Sequence, residues 1–161
     1  MTDRFPPLVT QTLVAAGWEP GTRDDEQAKT LALLLAGYAT PDGQHHTIVP
    51  PAVEAWAEFA GLAVPAAEEG EEIAPSAFVL DPLLARYSVA TFAALAAAIG
   101  SSLSPLGEEG GGTGLLAIDE EGRVFLCDHT GEWFLGQRLE EAITALVLGL
   151  QPRRVTEDGT W

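Results

Sequence analysis

The sequence predicts an α+β fold, with an antiparallel or mixed sheet that ends in a C-terminal meander and is closed by a C-terminal helix. Three observations lead to this prediction. Apolar residues recur at helical spacing in several segments of the first hundred residues. Strand-like runs flank a glycine-containing turn over residues 115–127, and helical spacing returns over residues 138–150. Because most helices precede the meander, we expect the helices to pack on one side of the sheet.

Each predicted helix combines an apolar stripe with a signal for one of its ends. Gly17 stands where a left-handed cap ends the first helix, and Asp24 or Asp25 can cap the second. Pro50-Pro51 suits the first turn of the third helix, and Ser88 suits the N-cap of the fourth. The helices are expected over residues 6–16, 25–37, 50–60, 88–99 and 138–150. The buried face of the second helix is expected to consist of Leu31, Leu34, Leu35 and Tyr38.

Strand signals are concentrated in the second half of the chain. Pro75 favours an edge position or a bulge in the second strand, and Gly122 supplies the left-handed residue of a hairpin turn. The expected strands cover residues 62–64, 73–80, 103–106, 115–118, 123–127 and 132–135. Two exposed loops are expected between them, an acidic loop over residues 66–72 and a glycine-rich loop over residues 108–114.

Length and composition indicate one folded domain over residues 1–155, followed by a flexible tail over residues 156–161. Arg153-Arg154 and the tail are expected to be frayed. The N-terminus lacks the pattern of a secretory signal, and no segment is long and apolar enough to span a membrane. Cys127 is the only cysteine, which excludes an internal disulfide and favours a cytoplasmic location.

Charge is the most informative part of the composition, because 24 acidic and 8 basic side chains give a net charge of −16. From Glu54 to Glu121 there are 12 acidic residues and one basic residue, Arg86. Such a surface repels nucleic acid and anionic membranes, whereas it attracts a basic protein. Solubility alone is the alternative interpretation of the same charge.

Two clusters of reactive residue types are possible sites of chemistry. Cys127, Asp128 and His129 are the parts of a nucleophilic site, but neighbouring residues of a strand point to opposite faces, which argues against their convergence. His45 and His46 could contribute to a metal site, but the sequence offers no obvious further ligands with the required geometry. We therefore expect no catalytic residue, no metal and no cofactor.

Six short motifs occur in a particular order along the chain. They are Ala16-Gly17-Trp18-Glu19-Pro20-Gly21, Phe59-Ala60-Gly61-Leu62, Leu103-Ser104-Pro105-Leu106-Gly107, Ile118-Asp119-Glu120-Glu121-Gly122-Arg123-Val124-Phe125, Leu135-Gly136 and Glu141-Ala142. In this order and with these gaps they resemble the third family of the SUKH immunity superfamily. The resemblance extends from about Phe5 to Val155, which is nearly the whole chain.

The resemblance implies an α+β domain without enzymatic activity that neutralises a cognate bacterial toxin, frequently a nuclease, by direct stoichiometric contact. An interaction or regulatory module of the same superfamily is the alternative. The expected partner is a toxin with a basic surface, and the chain is expected to be a monomer or a weak homodimer. Trp18 is either a core residue or part of the contact surface. The candidate contact residues are Glu68, Glu69, Glu71, Glu72, Glu108, Glu109, Glu120, Glu121 and Trp18.

Overall fold

A seven-stranded antiparallel sheet forms the centre of the fold over residues 4–161, which a computed structural model describes. Residues 1–3, where the predicted domain begins, lie outside the described residues. The five α-helices within residues 4–161 are α1 (Pro7–Ala15), α2 (Asp25–Ala36), α3 (Pro50–Phe59), α4 (Val89–Ile99) and α5 (Leu139–Leu148). The strands of the same range are β1 (Leu62–Val64), β2 (Phe78–Leu80), β3 (Leu103–Glu109), β4 (Gly114–Asp119), β5 (Val124–Asp128), β6 (Gly131–Gly136) and β7 (Arg153–Arg154).

The order of the strands in the sheet is their order in the sequence, and every neighbouring pair is antiparallel. In β4, Leu116 aligns with Gly107 of β3 and with Leu126 of β5. Successive side chains of a strand point to opposite faces, so Leu116 and Ala117 pack on different sides of the sheet. The α+β class, the late meander and the closing helix are confirmed.

Each face of the sheet carries a hydrophobic cluster of its own. The larger cluster contains buried residues of α1, α2, α3 and α5, including Leu13, Leu35, Trp56 and Ile143. The smaller cluster joins Phe92 and other residues of α4 to the opposite face. The helices of residues 4–161 therefore share one side of the sheet with the exception of α4, which covers part of the other side.

Strand β2 is shorter than the sequence predicts. The prediction placed a strand over residues 73–80, whereas β2 begins at Phe78. The peptide N–H of Ile73 donates to the carbonyl oxygen of Gly149 at 2.9 Å, so this part of the chain is bound to the end of α5 instead of a neighbouring strand. Pro75, which has no N–H to donate to a ladder, follows two residues later.

Strand β3 is longer than predicted and reaches Glu109. Its register shifts between Pro105 and Gly107, and this irregularity accommodates a proline inside the sheet. A Cβ atom on Gly107 would lie 2.0 Å from the carbonyl oxygen of Val79, so glycine allows β2 to approach closely. The predicted loop over residues 108–114 is thus wrong at its start, because Glu108 and Glu109 belong to β3.

Two side chains of the helices differ from their predicted roles. Leu34 was expected on the buried face of α2 but has an exposed fraction of 49%, whereas Leu31 and Leu35 are buried as expected. The side chain of Leu34 therefore presents an apolar surface to solvent. Ser88 occupies the N-cap position of α4, but its side chain makes no capping hydrogen bond.

The C-terminal residues make specific contacts with the sheet. Arg153 and Arg154, which were expected to be frayed, form β7 and pair with Phe134 and Trp133 of β6. The ring of Trp161 stacks on that of Phe134, with centroids 4.7 Å apart. These contacts close the smaller cluster at its outer side, where the sequence predicts a flexible tail.

Candidate functional site

Two distant motifs meet at a cleft beside β1. The turn after α1 and the junction between α3 and β1 line a cavity of about 290 Å³. Trp18 forms one wall, and its indole stacks on Phe59 at 5.6 Å and meets Phe5 edge-on at 5.5 Å. Only 7% of Trp18 is exposed. The structure therefore places Trp18 in the core, with the cleft next to it.

The indole nitrogen of Trp18 is buried and lacks a hydrogen-bond partner within residues 4–161. Trp56 differs in this respect, because its Nε1 donates to the carbonyl oxygen of Pro105 at 3.0 Å. A buried donor without an acceptor costs free energy relative to one that is paired. Both indoles thus lie among apolar side chains, but within residues 4–161 only the Nε1 of Trp56 has a hydrogen-bond acceptor.

Arg23 lies at the rim of the same cleft and bridges two elements. Its guanidinium contacts Asp25 of α2 at 2.7 Å and Glu54 of α3 at 3.1 Å. Hydrogen bonds to Asp25 and then to Glu54 raise the pKa of Arg23 above its ordinary value. The group is exposed, so the contribution of these ion pairs to stability is small.

The acidic loop of residues 66–72 is bound to the C-terminal end of α5. The peptide N–H of Glu71 donates to the carbonyl oxygen of Leu148 at 2.7 Å, next to the bond from Ile73 to Gly149. The last carbonyls of a helix have no partners inside the helix, so the loop supplies donors that they need. These bonds attach the C-terminal end of the loop to α5.

The carboxylates of this loop have different surroundings. Glu72 accepts a hydrogen bond from the peptide N–H of Gln151 at 2.8 Å, so it stabilises the chain beyond α5. Glu68, Glu69 and Glu71 are exposed, and none of them forms an ion pair with another residue of the 4–161 range. Three of the four predicted contact residues in the loop are therefore accessible without breaking a side-chain bond.

Glu108 and Glu109 are half-buried at the end of β3. Glu109 aligns with Phe78 of β2 and with Gly114 of β4. A Cβ atom on Gly114 would lie 2.7 Å from Oε2 of Glu109, so the glycine leaves room for this carboxylate. These two groups are therefore less exposed than the carboxylates of the acidic loop.

The β4–β5 turn contains a buried carboxylate with a structural role. Asp119 accepts hydrogen bonds from the peptide N–H groups of Glu121 and Arg123 and contacts the Arg123 guanidinium at 2.7 Å. Arg123 also contacts Glu121 at 2.9 Å. Glu120 is exposed and accepts a long hydrogen bond of 3.4 Å from the peptide N–H of Ser102. The turn therefore exposes two carboxylates. The charge of Glu121 is partly neutralised by Arg123, whereas Glu120 forms no ion pair within residues 4–161.

The predicted contact residues lie at opposite ends of the sheet. Glu108 and Glu109 are at the end where β4 begins, and the acidic loop adjoins the same end, because Glu109 and residues 73–76 line one small cleft. Glu120 and Glu121 follow β4 at its other end, about 17–20 Å away at the rise of a β-strand. The structure thus divides the predicted acidic surface into two parts.

Cys127 does not form an activated nucleophile with its neighbours. Its side chain is buried in the smaller cluster, and burial raises the pKa of the thiol to about 12. Asp128 accepts hydrogen bonds from Thr130, and His129 is exposed. Since the thiolate is the nucleophile, a thiol with this pKa is unreactive at neutral pH.

The two adjacent histidines point to different surroundings. His46 is buried, and its Nε2 donates to the carbonyl oxygen of Arg86 at 2.7 Å. Burial lowers the pKa of His46. His45 is exposed. Across residues 4–161, no three His, Cys, Asp or Glu side chains form a group that could hold a metal ion.

Over the same range, no helix has the length and apolarity needed to cross a membrane.

An exposed apolar surface lies beside α2 and has no counterpart among the predictions from the sequence. Tyr87 is 79% exposed, and Leu84 is 39% exposed. The ring of Tyr87 meets that of Tyr38, which the helical spacing predicts on the buried face of α2. The signal that could have indicated this surface is the absence of carboxylates from residues 82–107 in an otherwise acidic chain.

Comparisons with known proteins identify the family. No curated protein matches the chain in a sequence search, and no solved structure matches it. The family model described as SUKH-3 immunity protein matches residues 5–149, which is well over half of the chain. The chain therefore belongs to the SUKH-3 immunity protein family.

Proposed function

We propose that this chain is a cytoplasmic immunity protein that neutralises a cognate toxin by binding it in a stoichiometric complex, without catalysing a reaction. The toxin that we propose has a basic surface and acts on nucleic acid. Membership of an immunity protein family supports a toxin as the partner. The accessible carboxylates of Glu68, Glu69, Glu71 and Glu120 are the observation on which the basic surface rests.

The physical argument concerns the toxin's own active groove. A nuclease must attract phosphates, so its groove carries positive charge. A protein with a net charge of −16 is attracted to such a groove at long range, and its exposed carboxylates can occupy the positions of phosphates. Charges at the rim of an interface mainly increase the association rate, so we expect them to contribute more to kon than to koff.

The experiment is a binding measurement with the toxin domain encoded beside this chain's gene. Both proteins are produced together, and the association rate is then measured at rising salt concentration. We expect a 1:1 complex whose association rate falls about tenfold or more between low and high salt. A rate that is indifferent to salt would refute the electrostatic part, and the absence of any complex would refute the toxin as partner.

Charge variants of the same shape make the test specific. Glu68→Gln combined with Glu69→Gln, or Glu120→Gln alone, should slow association while leaving the fold unchanged, because these side chains are exposed. Glu157→Gln, at an exposed position outside the predicted contact residues, is the matched control for a single substitution, because it lowers the net negative charge by the same amount. Equal association rates for all variants would contradict a role of these carboxylates.

The absence of catalysis can be tested separately. Cys127→Ala should protect cells from the toxin as well as the original chain does, because its thiol is buried and protonated at neutral pH. The readout is survival of cells that express the toxin domain together with either form. Loss of protection by a Cys127→Ala chain that still folds and still forms the complex would support a catalytic role.

A further inference from the structure

Residues 156–161 form a strap on the side of the sheet that α4 covers, and we call this segment the strap. Val155, just before it, is bonded to the sheet, because its peptide N–H donates to the carbonyl oxygen of Glu132 at 2.9 Å. Within the strap, Gly159 and Trp161 are partly buried, whereas the other four residues are exposed. The strap is therefore attached to the rest of the molecule at two points.

The hydrogen bonds of the strap are internal. The peptide N–H of Thr156 donates to the carbonyl oxygen of Thr160 at 2.7 Å, and that of Gly159 donates to the carbonyl oxygen of Thr156 at 2.9 Å. The hydroxyl oxygens of Thr156 and Thr160 lie 2.9 Å apart. Within residues 4–161, no hydrogen bond joins the strap to another part of the chain. Lifting the strap from the sheet therefore breaks no hydrogen bond of this range, which favours local opening.

Gly159 allows the strap to approach the end of α4 closely. Its φ is 76°, in the left-handed region that favours glycine. A Cβ atom at this position would overlap the carbonyl oxygen of Ala98. A larger residue would therefore displace the strap from α4.

Trp161 is the second point of attachment, and its ring meets three side chains. It stacks on Phe134 with centroids 4.7 Å apart and meets Phe125 edge-on at 5.4 Å. The guanidinium of Arg123 lies over the same ring, 5.2 Å from its centroid. An aromatic face attracts a cation in this position, and the attraction is stronger where water is excluded. The side chain of Arg123 is only 16% exposed, so the ring lies against a largely desolvated cation.

Arg123 connects the strap to the β4–β5 turn. Its Nε donates to Oδ2 of Asp119 at 2.8 Å, and its Nη2 lies 2.9 Å from Oε2 of Glu121. Oδ1 of the same aspartate accepts from the peptide N–H groups of Glu121 and Arg123 at 3.0 and 2.8 Å. Without the Trp161 ring, water would reach the guanidinium and weaken its attraction to both carboxylates.

We propose that the strap docks reversibly and that, while docked, it restrains the β4–β5 turn through Trp161 and Arg123. The inference goes beyond the proposed function, because it concerns a conformational equilibrium within this chain and needs no partner. Coupling between two sites is reciprocal, so a contact that orders the turn also favours the docked strap. The strap thus controls how firmly the exposed carboxylates of Glu120 and Glu121 are held.

NMR relaxation of the native protein tests this coupling through the Nε–H of Arg123 and the peptide N–H of Glu121. Trp161→Ala removes the ring, whereas Gly159→Ala prevents docking and leaves the ring and Arg123 in the chain. In both variants, we expect the order parameter of the Arg123 Nε–H to fall from about 0.85, typical of a rigid group, to below about 0.6. The order parameter of the Glu121 peptide N–H should fall in the same direction.

Two further variants make the test specific. Gly43→Ala is the matched control for Gly159→Ala, because Gly43 has a φ of 89° but a Cβ atom there would meet no atom within 4 Å. It should leave both order parameters unchanged. Trp161→Phe keeps an aromatic face for the guanidinium and should retain most of the order that Trp161→Ala loses.

Three results would overturn the proposal. The first is an unchanged order of Arg123 and Glu121 in Gly159→Ala and Trp161→Ala, which would show that strap and turn are independent. The second is a Trp161 indole signal of Gly159→Ala that stays at its original position, since the close approach to α4 would then be unnecessary for docking. The third is an equal loss of order in Gly43→Ala. None of these measurements involves a toxin, so their outcome does not depend on the proposed function.

Discussion

The two hydrophobic clusters on opposite faces of the sheet are built in different ways. The larger cluster is enclosed by α1, α2, α3 and α5. The smaller cluster is covered by α4 and by residues near the C-terminus, including Val155 and Trp161. The outward side of α4 is exposed along its length, for example at Ala90, Ala94 and Ala97. We therefore expect a truncation in the larger cluster to destabilise the protein more than the same truncation in the smaller cluster.

The same truncation in each cluster tests this difference, and we expect the largest effect in the enclosed one. Leu116→Ala, at a position with 0% exposure, should lower the free energy of unfolding by about 4 kcal/mol. Leu95→Ala, on α4, should lower it by about 2–3 kcal/mol, because α4 can move towards the cavity. Urea denaturation of both variants measures the difference. Equal losses would mean that the two clusters are equally rigid.

The two tryptophans of the larger cluster provide the second test. Trp56→Phe removes the bond to the Pro105 carbonyl and leaves a buried acceptor unpaired, so we expect a loss of about 2–3 kcal/mol. Trp18→Phe removes a donor that is unpaired within residues 4–161, so we expect a loss of about 1 kcal/mol or less. Denaturation of both variants provides the comparison. A greater loss for Trp18→Phe would show that its indole nitrogen has a partner in solution.

The contribution of the C-terminal residues is the third test. Trp161 stacks on Phe134 and meets Phe125 edge-on at 5.4 Å. Trp161→Ala should therefore lower the free energy of unfolding by about 2 kcal/mol, less than full burial would give, since the ring is half-exposed. Glu157→Gln, an exposed change in the same segment, should have no measurable effect. If both variants are as stable as the original chain, residues 156–161 are a flexible tail.

The smallest expected effect is the change of stability with pH, which depends on a histidine beside the smaller cluster. Because burial lowers the pKa of His46, the unfolded chain binds a proton there at a higher pH than the folded chain does. Stability should thus decrease as the pH falls below the ordinary histidine pKa of about 6.5. Measured between pH 7 and pH 5, this decrease should be smaller in His46→Gln, whereas exposed His129→Gln should follow the original chain. If the stability of the original chain and of both variants changes with pH in the same way, His46 is not the source of the pH dependence.

Local patterns were sufficient for most of the fold. Apolar spacing located the helices, and Gly122 marked the β4–β5 hairpin, because both signals depend on residues that are neighbours in sequence. The start of β2 could not be located in this way, since Ile73 bonds to Gly149 across 76 positions. The pairing of β7 with β6 depends equally on contacts between distant residues.

The candidate site was less predictable than the fold. Composition indicated an acidic surface, but it could not show that Asp119 is buried against Arg123 or that Glu72 binds the chain after α5. Leu34 follows the helical spacing of a buried residue, yet the adjacent segment leaves its side chain uncovered. Whether an apolar residue is covered depends on how a second element packs against it. The spacing of apolar residues within one helix carries no information about that second element.

The linear order of the strands affects how the chain can fold. Strands that are neighbours in the sheet are also neighbours in the sequence, so much of the sheet forms from contacts that are close in sequence. The tight hairpins of β3 to β6 can close first, because short loops cost little entropy and low contact order speeds folding. The segment from residue 81 to residue 102, which contains α4, separates β2 from β3 and is the slowest of these connections to close. We therefore expect the C-terminal hairpins to form the folding nucleus, onto which β2 and α4 are added later.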